Sequence, residues 1–171
     1  MINTLYSFDF DGTLVHSPMP TEGKSIWFKE TGIEWPYRGW WGKAESLDTN
    51  IFDIPKNDWV YQRYLDAVSE DDSYNILATG RLHKAPGMLE NVKKVLNQHN
   101  LSFDEIYLNW GGDTFNFKTT LFEQLIKKTN CENFVMYDDR QEHLVKFKYW
   151  AKEQDCPVTI VDIINKKSET Y

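Results

Sequence analysis

Short runs of apolar residues recur along the chain, and between them lie stretches in which apolar residues recur every three or four positions. The short runs predict five strands, over residues 5–10, 74–79, 105–108, 133–137 and 157–160 with its continuation. The longer stretches predict helices over residues 86–98, 117–128 and 140–153. Strands that alternate with helices of this length predict an α/β fold, in which a mostly parallel sheet carries helices on both faces.

One segment, residues 16–72 between the first two predicted strands, is far longer than an ordinary crossover. It contains five of the seven tryptophans, and its six Lys or Arg against eleven Asp or Glu account for most of the net charge of −7. Loops of this length in compact domains are usually functional. We therefore expect an inserted, partly helical cap over residues 16–72, with a helix over 59–68, above a core domain of residues 1–15 and 73–171.

The composition is that of a globular protein with a negative surface. Hydrophobic residues make up 41% and charged residues 26%, which supports a buried core and argues against disorder. The net charge of −7 disfavours a long nucleic-acid groove but not a small basic pocket. Cys131 and Cys156 lack the spacing of a zinc site and are typical of a reducing cytosol. We find no signal peptide and no apolar run of membrane-spanning length, so we expect a cytoplasmic protein.

Two carboxylates, Asp9 and Asp11, lie at the end of the first predicted strand and are followed by Gly12 and Thr13. Alternate residues of an extended strand point to the same face, so we expect the two carboxylates together. Gly12 permits a tight turn that brings backbone N–H groups towards a bound anion. A lone pair of this kind is more often an exposed acidic turn, and the other strand ends decide between the two interpretations.

The second predicted strand ends in Thr79, Gly80 and Arg81, which lie at the same edge of the sheet. Lys118 lies in the expected first turn of a helix, where a cation is unfavourable to the helix dipole unless an anion is bound nearby. Asp113 precedes it and either positions that lysine or starts the helix. These segments add a hydroxyl, a guanidinium and an ammonium group to the two carboxylates.

A second acidic pair, Asp138 and Asp139, follows the fourth predicted strand. Adjacent carboxylates repel each other unless a cation or hydrogen bonds neutralise them. Carboxylates without a thiolate or histidine cluster are the ligands that Mg²⁺ prefers. Together the four segments predict an apparatus for phosphoryl transfer to an aspartate.

These segments resemble the four motifs of the haloacid dehalogenase (HAD) superfamily of phosphohydrolases, namely Asp9-x-Asp11-Gly12-Thr13, Thr79, Lys118 and Asp138-Asp139. The chain is more closely similar to the HAD domain described as Swiss-Army-knife RNA-repair-like. That likeness rests on Ser17-Pro18-x-Pro20, Gly39-Trp40-Trp41, Ser46-Leu47, Thr79-Gly80-Arg81, Phe117-Lys118 and Tyr137-Asp138-Asp139-Arg140 with His143. The acidic pair also resembles that of the phosphatase half of phage end-healing polynucleotide kinases. The resemblance implies a Rossmann-like three-layer sandwich with a cap between the first and second strands.

The resemblance also implies a Mg²⁺-dependent phosphomonoesterase. Asp9 would attack phosphorus to form an aspartyl-phosphate, and Asp11 would protonate the leaving alkoxide and then activate water. Thr79 and Lys118 would hold the phosphoryl oxygens. His143 would orient the fourth loop.

The resemblance assigns a metal site and a substrate-phosphate site as well. The metal would be held by the carboxylates of Asp9 and Asp139 and by the backbone carbonyl of Asp11. Asp138 stands where the family has Glu. It would either lie behind the residues that bind the metal directly or pair with Lys118. The substrate phosphate would be contacted by Gly12, Thr13, Gly80 and Arg81. A salt-bridged Arg81 is nearly as well supported as this phosphate contact.

The expected substrate is a nucleotide or a nucleic-acid end that bears a terminal phosphate. A soluble nucleotidase or sugar-phosphate phosphatase remains an alternative, as does a phospho-Asp receiver domain, whose acceptor lies on a middle strand and which has no large cap. One of the adjacent Trp40 and Trp41 would stack on a base, unless both fill the core of the cap. No protein partner and no membrane association are inferred.

Overall fold

Six strands form a single sheet in the computed structural model, which describes residues 2–171. In chain order they are β1 Thr4–Phe8, β2 Ser73–Leu82, β3 Glu105–Asn109, β4 Asn133–Asp138, β5 Val158–Asp162 and β6 Lys167–Thr170. Their order in the sheet is β3-β2-β1-β4-β5-β6, and every pair is parallel except β5 with β6. The expected α/β fold with a mostly parallel sheet is confirmed.

Helices cover both faces of this sheet. They are α1 Pro20–Thr31, α2 Asp58–Ser69, α3 Met88–Gln98, α4 Thr114–Thr129 and α5 Gln141–Ala151, with a short 3₁₀ helix over Ala44–Leu47. Apolar residues of α4 and α5 pack on one face, around Phe134 of β4. Residues of α2 and α3 pack on the other face, around Phe8 of β1. Among residues 2–171, no helix is both long enough and apolar enough to cross a membrane.

Several expected boundaries are wrong, and two helix starts differ for a local reason. The strand expected over 74–79 is β2 Ser73–Leu82, so Gly80 and Arg81 lie within the strand and not beyond its end. The strand expected over 5–10 ends at Phe8, so Asp9 lies beyond it. The helix expected from residue 86 begins at Met88, because Gly87 has a φ of 76° and so cannot be a helical residue. The helix expected from residue 117 begins at Thr114, because the Asp113 carboxylate accepts a hydrogen bond from the Asn116 N–H and caps it. Lys118 therefore lies in the second turn of α4 and not in the first.

The long segment before β2 contains two different kinds of structure. Its last helix, α2, packs on the sheet like an ordinary crossover helix: the Tyr64 ring lies 6.1 Å from the Phe8 ring. The preceding residues 16–57 instead meet the loops at the carboxyl ends of the strands. There α1 approaches Trp40 closely, and a Cβ at Gly23 would lie 2.2 Å from the indole ring. The division into a cap of residues 16–72 and a core of 1–15 and 73–171 stays a prediction.

Candidate active site

Asp9 directly follows β1, and its backbone N–H donates to the Tyr137 carbonyl of β4 at 3.0 Å. Its side chain is buried, and both carboxylate oxygens have partners. Lys118 Nζ donates to Oδ1 at 2.8 Å, and Thr13 Oγ1 donates to Oδ2 at 3.1 Å. The carboxylate expected to be the nucleophile is thus fixed in orientation by two other residues of the same expected site.

Lys118 is only 2% exposed, although it carries a charge. It projects from α4 between two carboxylates, and its Nζ also donates to Asp138 Oδ2 at 2.6 Å. Burial lowers the pKa of the Lys118 ammonium, but Asp138 and Asp9 outweigh that effect and raise the pKa above its usual value. The other oxygen of Asp138 accepts the Arg140 N–H at 3.0 Å. Asp138 therefore takes the second of its two expected places, paired with Lys118.

Three carboxylates, those of Asp9, Asp138 and Asp139, offer oxygen atoms within 4.8 Å of one another. Burial raises the pKa of Asp9 well above its usual value, and Asp138 and Asp139 add to the rise against the opposing Lys118. Burial, followed by Asp138, likewise raises the pKa of Asp139. One ammonium group does not balance three carboxylates, so the cluster carries surplus negative charge on hard oxygen donors, which fits a divalent cation such as Mg²⁺.

Gly12 is what lets the turn after β1 approach this acidic cluster. A Cβ at this position would lie 2.4 Å from Asp139 Oδ2, and the backbone φ is 73°, in the left-handed region that favours glycine. Thr13 is fully buried, and its hydroxyl, which bonds Asp9, also lies 3.5 Å from Asp139 Oδ1. The turn therefore places Asp139 beside Asp9.

Asp11 lies outside the three-carboxylate cluster and pairs with Arg81. The guanidinium of Arg81 binds it in a bidentate way, with Nε 2.8 Å from Oδ2 and Nη2 2.8 Å from Oδ1. The Ser17 hydroxyl also hydrogen bonds to Asp11 Oδ1. Arg81 is 3% exposed, and its Nη1 donates to the Trp41 carbonyl at 2.9 Å and to Ser46 Oγ at 2.6 Å. Arg81 is therefore salt-bridged and connects Asp11 to residues 16–57.

The end of β2 lies close to the start of α4. Thr79 is buried, and its hydroxyl accepts the Arg81 N–H at 3.1 Å. A Cβ at Gly80 would lie 2.7 Å from Thr114 Oγ1, so the close approach of the two elements requires a residue without a side chain there. Sequence reasoning did not find Thr114, because its position depends on where α4 begins.

A cavity of about 1010 Å³ brings these elements together. Eight of the ten expected site residues line it, and five of these belong to the expected catalytic and metal-binding set, namely Asp9, Asp11, Thr79, Lys118 and Asp139. Gly12, Gly80 and Arg81 also line it, whereas Asp138 lies behind the surface. Residues 16–57 supply the opposite wall, which includes Met19 and Trp41. The sequence indicated Trp41, as one of two adjacent tryptophans, but not Met19.

The other residues that the sequence analysis named make packing contacts or hydrogen bonds outside the acidic cluster. Trp40 is 3% exposed, and its indole N–H donates to the Pro18 carbonyl at 2.9 Å, so it belongs to the core under α1. Arg140 is exposed and pairs with Glu142 at 2.8 Å. His143 is buried beside the Phe115 and Phe147 rings, and its Nδ1 has no hydrogen-bond partner. The Ser17 hydroxyl hydrogen bonds to Asp11, and Ser46 Oγ accepts a hydrogen bond from Arg81. No local sequence signal indicates these contacts.

The sequence of residues 3–169 matches the family described as HAD domain family 1 in Swiss Army Knife RNA repair proteins. That match covers nearly the whole chain and confirms the resemblance drawn from the motifs. No curated protein matches the sequence.

Two solved structures share the fold. A chain of the Pnkp1/Rnl/Hen1 complex matches with a TM-score of 0.59 and 17% identity, over 94% of this chain and 46% of that one. The present chain thus spans about half the length of that relative. A haloacid dehalogenase-like hydrolase from Streptococcus pneumoniae matches with a TM-score of 0.51 and 16% identity, over 92% of this chain and 83% of that one.

Proposed function

Because the chain belongs to the HAD domain family of Swiss Army Knife RNA repair proteins, we propose that it is a Mg²⁺-dependent phosphomonoesterase that removes a terminal phosphate from a nucleic acid or nucleotide. Family and fold establish the coarser statement, a HAD-type hydrolase. The finer proposal rests on one observation: Asp9, with its carboxylate held by Lys118 at 2.8 Å, shares a cavity with Asp11, Thr79 and Asp139.

In the proposed first step, a carboxylate oxygen of Asp9 attacks the phosphorus of the bound monoester, and the bond from phosphorus to the alkoxide breaks. Asp11 gives a proton to the departing alkoxide, which leaves as an alcohol. Lys118 and the Thr79 hydroxyl hold phosphoryl oxygens, so that the charge of the transition state meets fixed donors. Arg81 positions Asp11 through both carboxylate oxygens, and one of these two hydrogen bonds gives way when Asp11 carries the proton.

In the second step, Asp11 takes a proton from water, which attacks the phosphorus of the aspartyl-phosphate. Inorganic phosphate leaves, and the Asp9 carboxylate is regenerated. The carboxylates of Asp9 and Asp139 would hold the Mg²⁺ ion, since both oxygens of Asp138 are already engaged. When bound, the ion would offset the charge of the phosphoryl group and of the crowded carboxylates.

A small-molecule phosphatase is the second candidate. Glu22 and Asp53 line the cavity opposite the catalytic groups, and negative charge there is unfavourable to a long polyanion. A receiver-type signalling domain has less support, because the expected acceptor, Asp9, follows the first strand and residues 16–57 cover the strand ends.

The test is a substrate panel of oligonucleotides with a 3′ or 5′ terminal phosphate, mononucleotides and a sugar phosphate, with Mg²⁺ and with a chelator. We expect phosphate release from an oligonucleotide end that disappears with chelator and in Asp9→Asn, while Asp71→Asn, a change of an exposed aspartate, remains active. Hydrolysis of free mononucleotides with oligonucleotides untouched would favour the second candidate. Full activity of Asp9→Asn would contradict the proposed mechanism.

A further inference from the structure

The wall of the active-site cavity opposite Asp9 points to the chemistry of the leaving group. We propose that this wall binds the nucleoside that carries the scissile phosphate, with its base against Trp41, Met19 and Ile26, and that it rejects nucleoside di- and triphosphates, whose leaving group carries a phosphate bonded directly to the scissile one. This inference rests on the proposed function, since it takes a phosphomonoester as the substrate.

Apolar exposure inside the cavity is the first observation. Trp41 is 40% exposed and Met19 is 60% exposed, and both line the cavity with the half-buried Ile26. Large apolar side chains that face a concave site lose contact with water when a flat apolar ligand covers them. The adjacent Trp40 differs, since it is 3% exposed and its ring is buried in the core. Of this tryptophan pair, Trp41 is thus the member that a ligand can reach.

The position of Trp41 relative to the catalytic groups is the second observation. Its backbone carbonyl accepts a hydrogen bond from Arg81 Nη1 at 2.9 Å, and the same guanidinium binds Asp11. The guanidinium carbon lies 5.1 Å from the centre of the indole ring. The indole therefore lies next to the guanidinium that binds Asp11, the group that would protonate the leaving alkoxide, and the nucleoside must lie on that side of the phosphate.

The size of the cavity agrees with a nucleoside. Its volume of about 1010 Å³ lies at the upper end of the range for small-molecule sites, roughly 300–1000 Å³. A phosphate group with a small alkyl chain would leave most of that space unfilled. A base and a sugar would use it.

The charge of the wall is the third observation. Residues 16–57 contribute Glu22 and Asp53 to the cavity lining and no lysine or arginine. The three cations on the catalytic side already have carboxylate partners: Lys118 binds Asp9 and Asp138, Arg81 binds Asp11, and the exposed Arg140 pairs with Glu142. The second phosphate of a nucleoside diphosphate would thus meet Glu22 and Asp53, while every lysine and arginine of the lining already pairs with a carboxylate. Ribose hydroxyls and base N–H groups, in contrast, can donate hydrogen bonds to those carboxylates.

The experiment measures kcat and KM with Mg²⁺ for a nucleoside monophosphate, ribose 5-phosphate and a nucleoside diphosphate. We expect Trp41→Ala to raise KM for the nucleoside monophosphate about 5- to 150-fold, the range of stacking energies converted to affinity, with kcat within about threefold. KM for ribose 5-phosphate should not change. Phe28→Ala, which removes an exposed aromatic of α1 outside this cavity, is the matched control and should resemble wild type.

The carboxylates are tested by the double variant Glu22→Gln/Asp53→Asn. We expect it to raise kcat/KM for the diphosphate relative to the monophosphate by roughly tenfold or more, since two like charges are removed. An unchanged ratio would overturn the claim of phosphate rejection.

Two kinetic outcomes would overturn the base-binding claim. A loss of kcat on both nucleotide and ribose 5-phosphate in Trp41→Ala would show that Trp41 only supports Arg81. Hydrolysis of O-phosphotyrosine at a higher kcat/KM than the nucleotide would show that the wall takes a different aromatic group.

The proposed function can fail separately from this inference. If wild type hydrolyses no monoester, the function fails, and titration calorimetry with adenosine still tests the wall. Binding by wild type that is weakened at least fivefold in Trp41→Ala supports the inference, and no binding by wild type overturns it. If monoesters are hydrolysed but ribose 5-phosphate equals the nucleotide in KM, the function stands and the inference fails.

Discussion

The ammonium nitrogen of Lys118 lies 2.8 Å from Asp9 Oδ1 and 2.6 Å from Asp138 Oδ2, and all three side chains are nearly inaccessible to water. A charge in such a place is tolerable because two carboxylates lie within hydrogen-bond distance of it. The lysine therefore has two effects at once: it orients the expected nucleophile, and it offsets part of the repulsion among the carboxylates.

Removal of the Lys118 charge should damage both stability and activity. In Lys118→Met, Asp9 and Asp138 lose their shared cation while they remain buried. We expect the free energy of unfolding to fall by about 3–5 kcal/mol, as measured by chemical denaturation without Mg²⁺. Phosphatase activity should fall at least roughly 100-fold at a temperature where the variant remains folded.

Two controls make this prediction specific. Lys128→Met, a change of an exposed lysine on the same helix, should cost no more than about 1 kcal/mol and leave activity near wild type. Adding Asp138→Asn to Lys118→Met should restore part of the lost stability, because it removes one of the unpaired carboxylates. A double variant less stable than the single one would argue against the shared ion pair.

Gly12→Ala should abolish most activity through Asp139. The new Cβ would lie 2.4 Å from Asp139 Oδ2 and would displace that carboxylate from Asp9. Gly39 is the matched control, because its φ of 81° imposes the same backbone cost but no atom lies within 4 Å of an added Cβ. Both variants should lose on the order of 1 kcal/mol of stability. Only Gly12→Ala should lose activity, by roughly 100-fold or more, and should need more Mg²⁺ for half-maximal rate.

Arg81→Lys should lower kcat although the positive charge is kept. A lysine cannot bind both Asp11 oxygens, the Trp41 carbonyl and Ser46 Oγ at the same time. We expect kcat to fall roughly 10- to 100-fold through loss of the position of Asp11. Arg38→Lys, which alters an exposed arginine of residues 16–57, should behave as wild type. Equal kcat for Arg81→Lys and wild type would remove the positioning role.

His143 should make the fold sensitive to mild acid. Burial lowers the pKa of His143 below its usual 6.5, so the unfolded chain binds a proton at a higher pH than the folded chain does. Stability is therefore retained above about pH 6.5 and lost as the pH falls below it. His143→Phe, which keeps the ring between Phe115 and Phe147, should lose less stability than wild type between about pH 7.5 and pH 5.5.

The readout is the difference in stability between these two pH values, and the lowered pKa of His143 fixes its sign. Thermal melts across that pH range would measure it. His83→Gln, which alters an exposed histidine, should follow the wild-type curve. If His143→Phe follows it as well, burial of His143 does not control the acid response.

Much of the fold could be predicted because its elements are strongly periodic. Phe117, Leu121 and Leu125 recur along one face of α4, and all three are buried against the sheet. The start of that helix could not be predicted, since Asp113 caps residues that lack apolar periodicity. β6 was not predicted as a separate strand, because residues 167–170 are exposed on both faces and have no apolar alternation.

Part of the site follows from topology alone. Parallel strands end at one edge of a sheet, so Asp9, Thr79 and Asp139 meet there whatever the detailed packing. The pairing of Arg81 with Asp11 joins residues 70 apart and depends on how residues 16–57 pack. No local pattern encodes it. The expected cytoplasmic location stays a prediction.

Formation of a covalent intermediate on Asp9 is the central claim, and Asp11→Asn offers the means to observe it. With p-nitrophenyl phosphate the leaving group needs no proton, so the first step should remain fast while hydrolysis of the aspartyl-phosphate slows.

The measurement is the rapid release of p-nitrophenol by Asp11→Asn in the presence of Mg²⁺. We predict a burst close to one p-nitrophenol per protein molecule, followed by slow turnover, and no burst in Asp9→Asn/Asp11→Asn. The same burst and turnover in the double variant would contradict the account, because phosphate would then reach water without passing through Asp9.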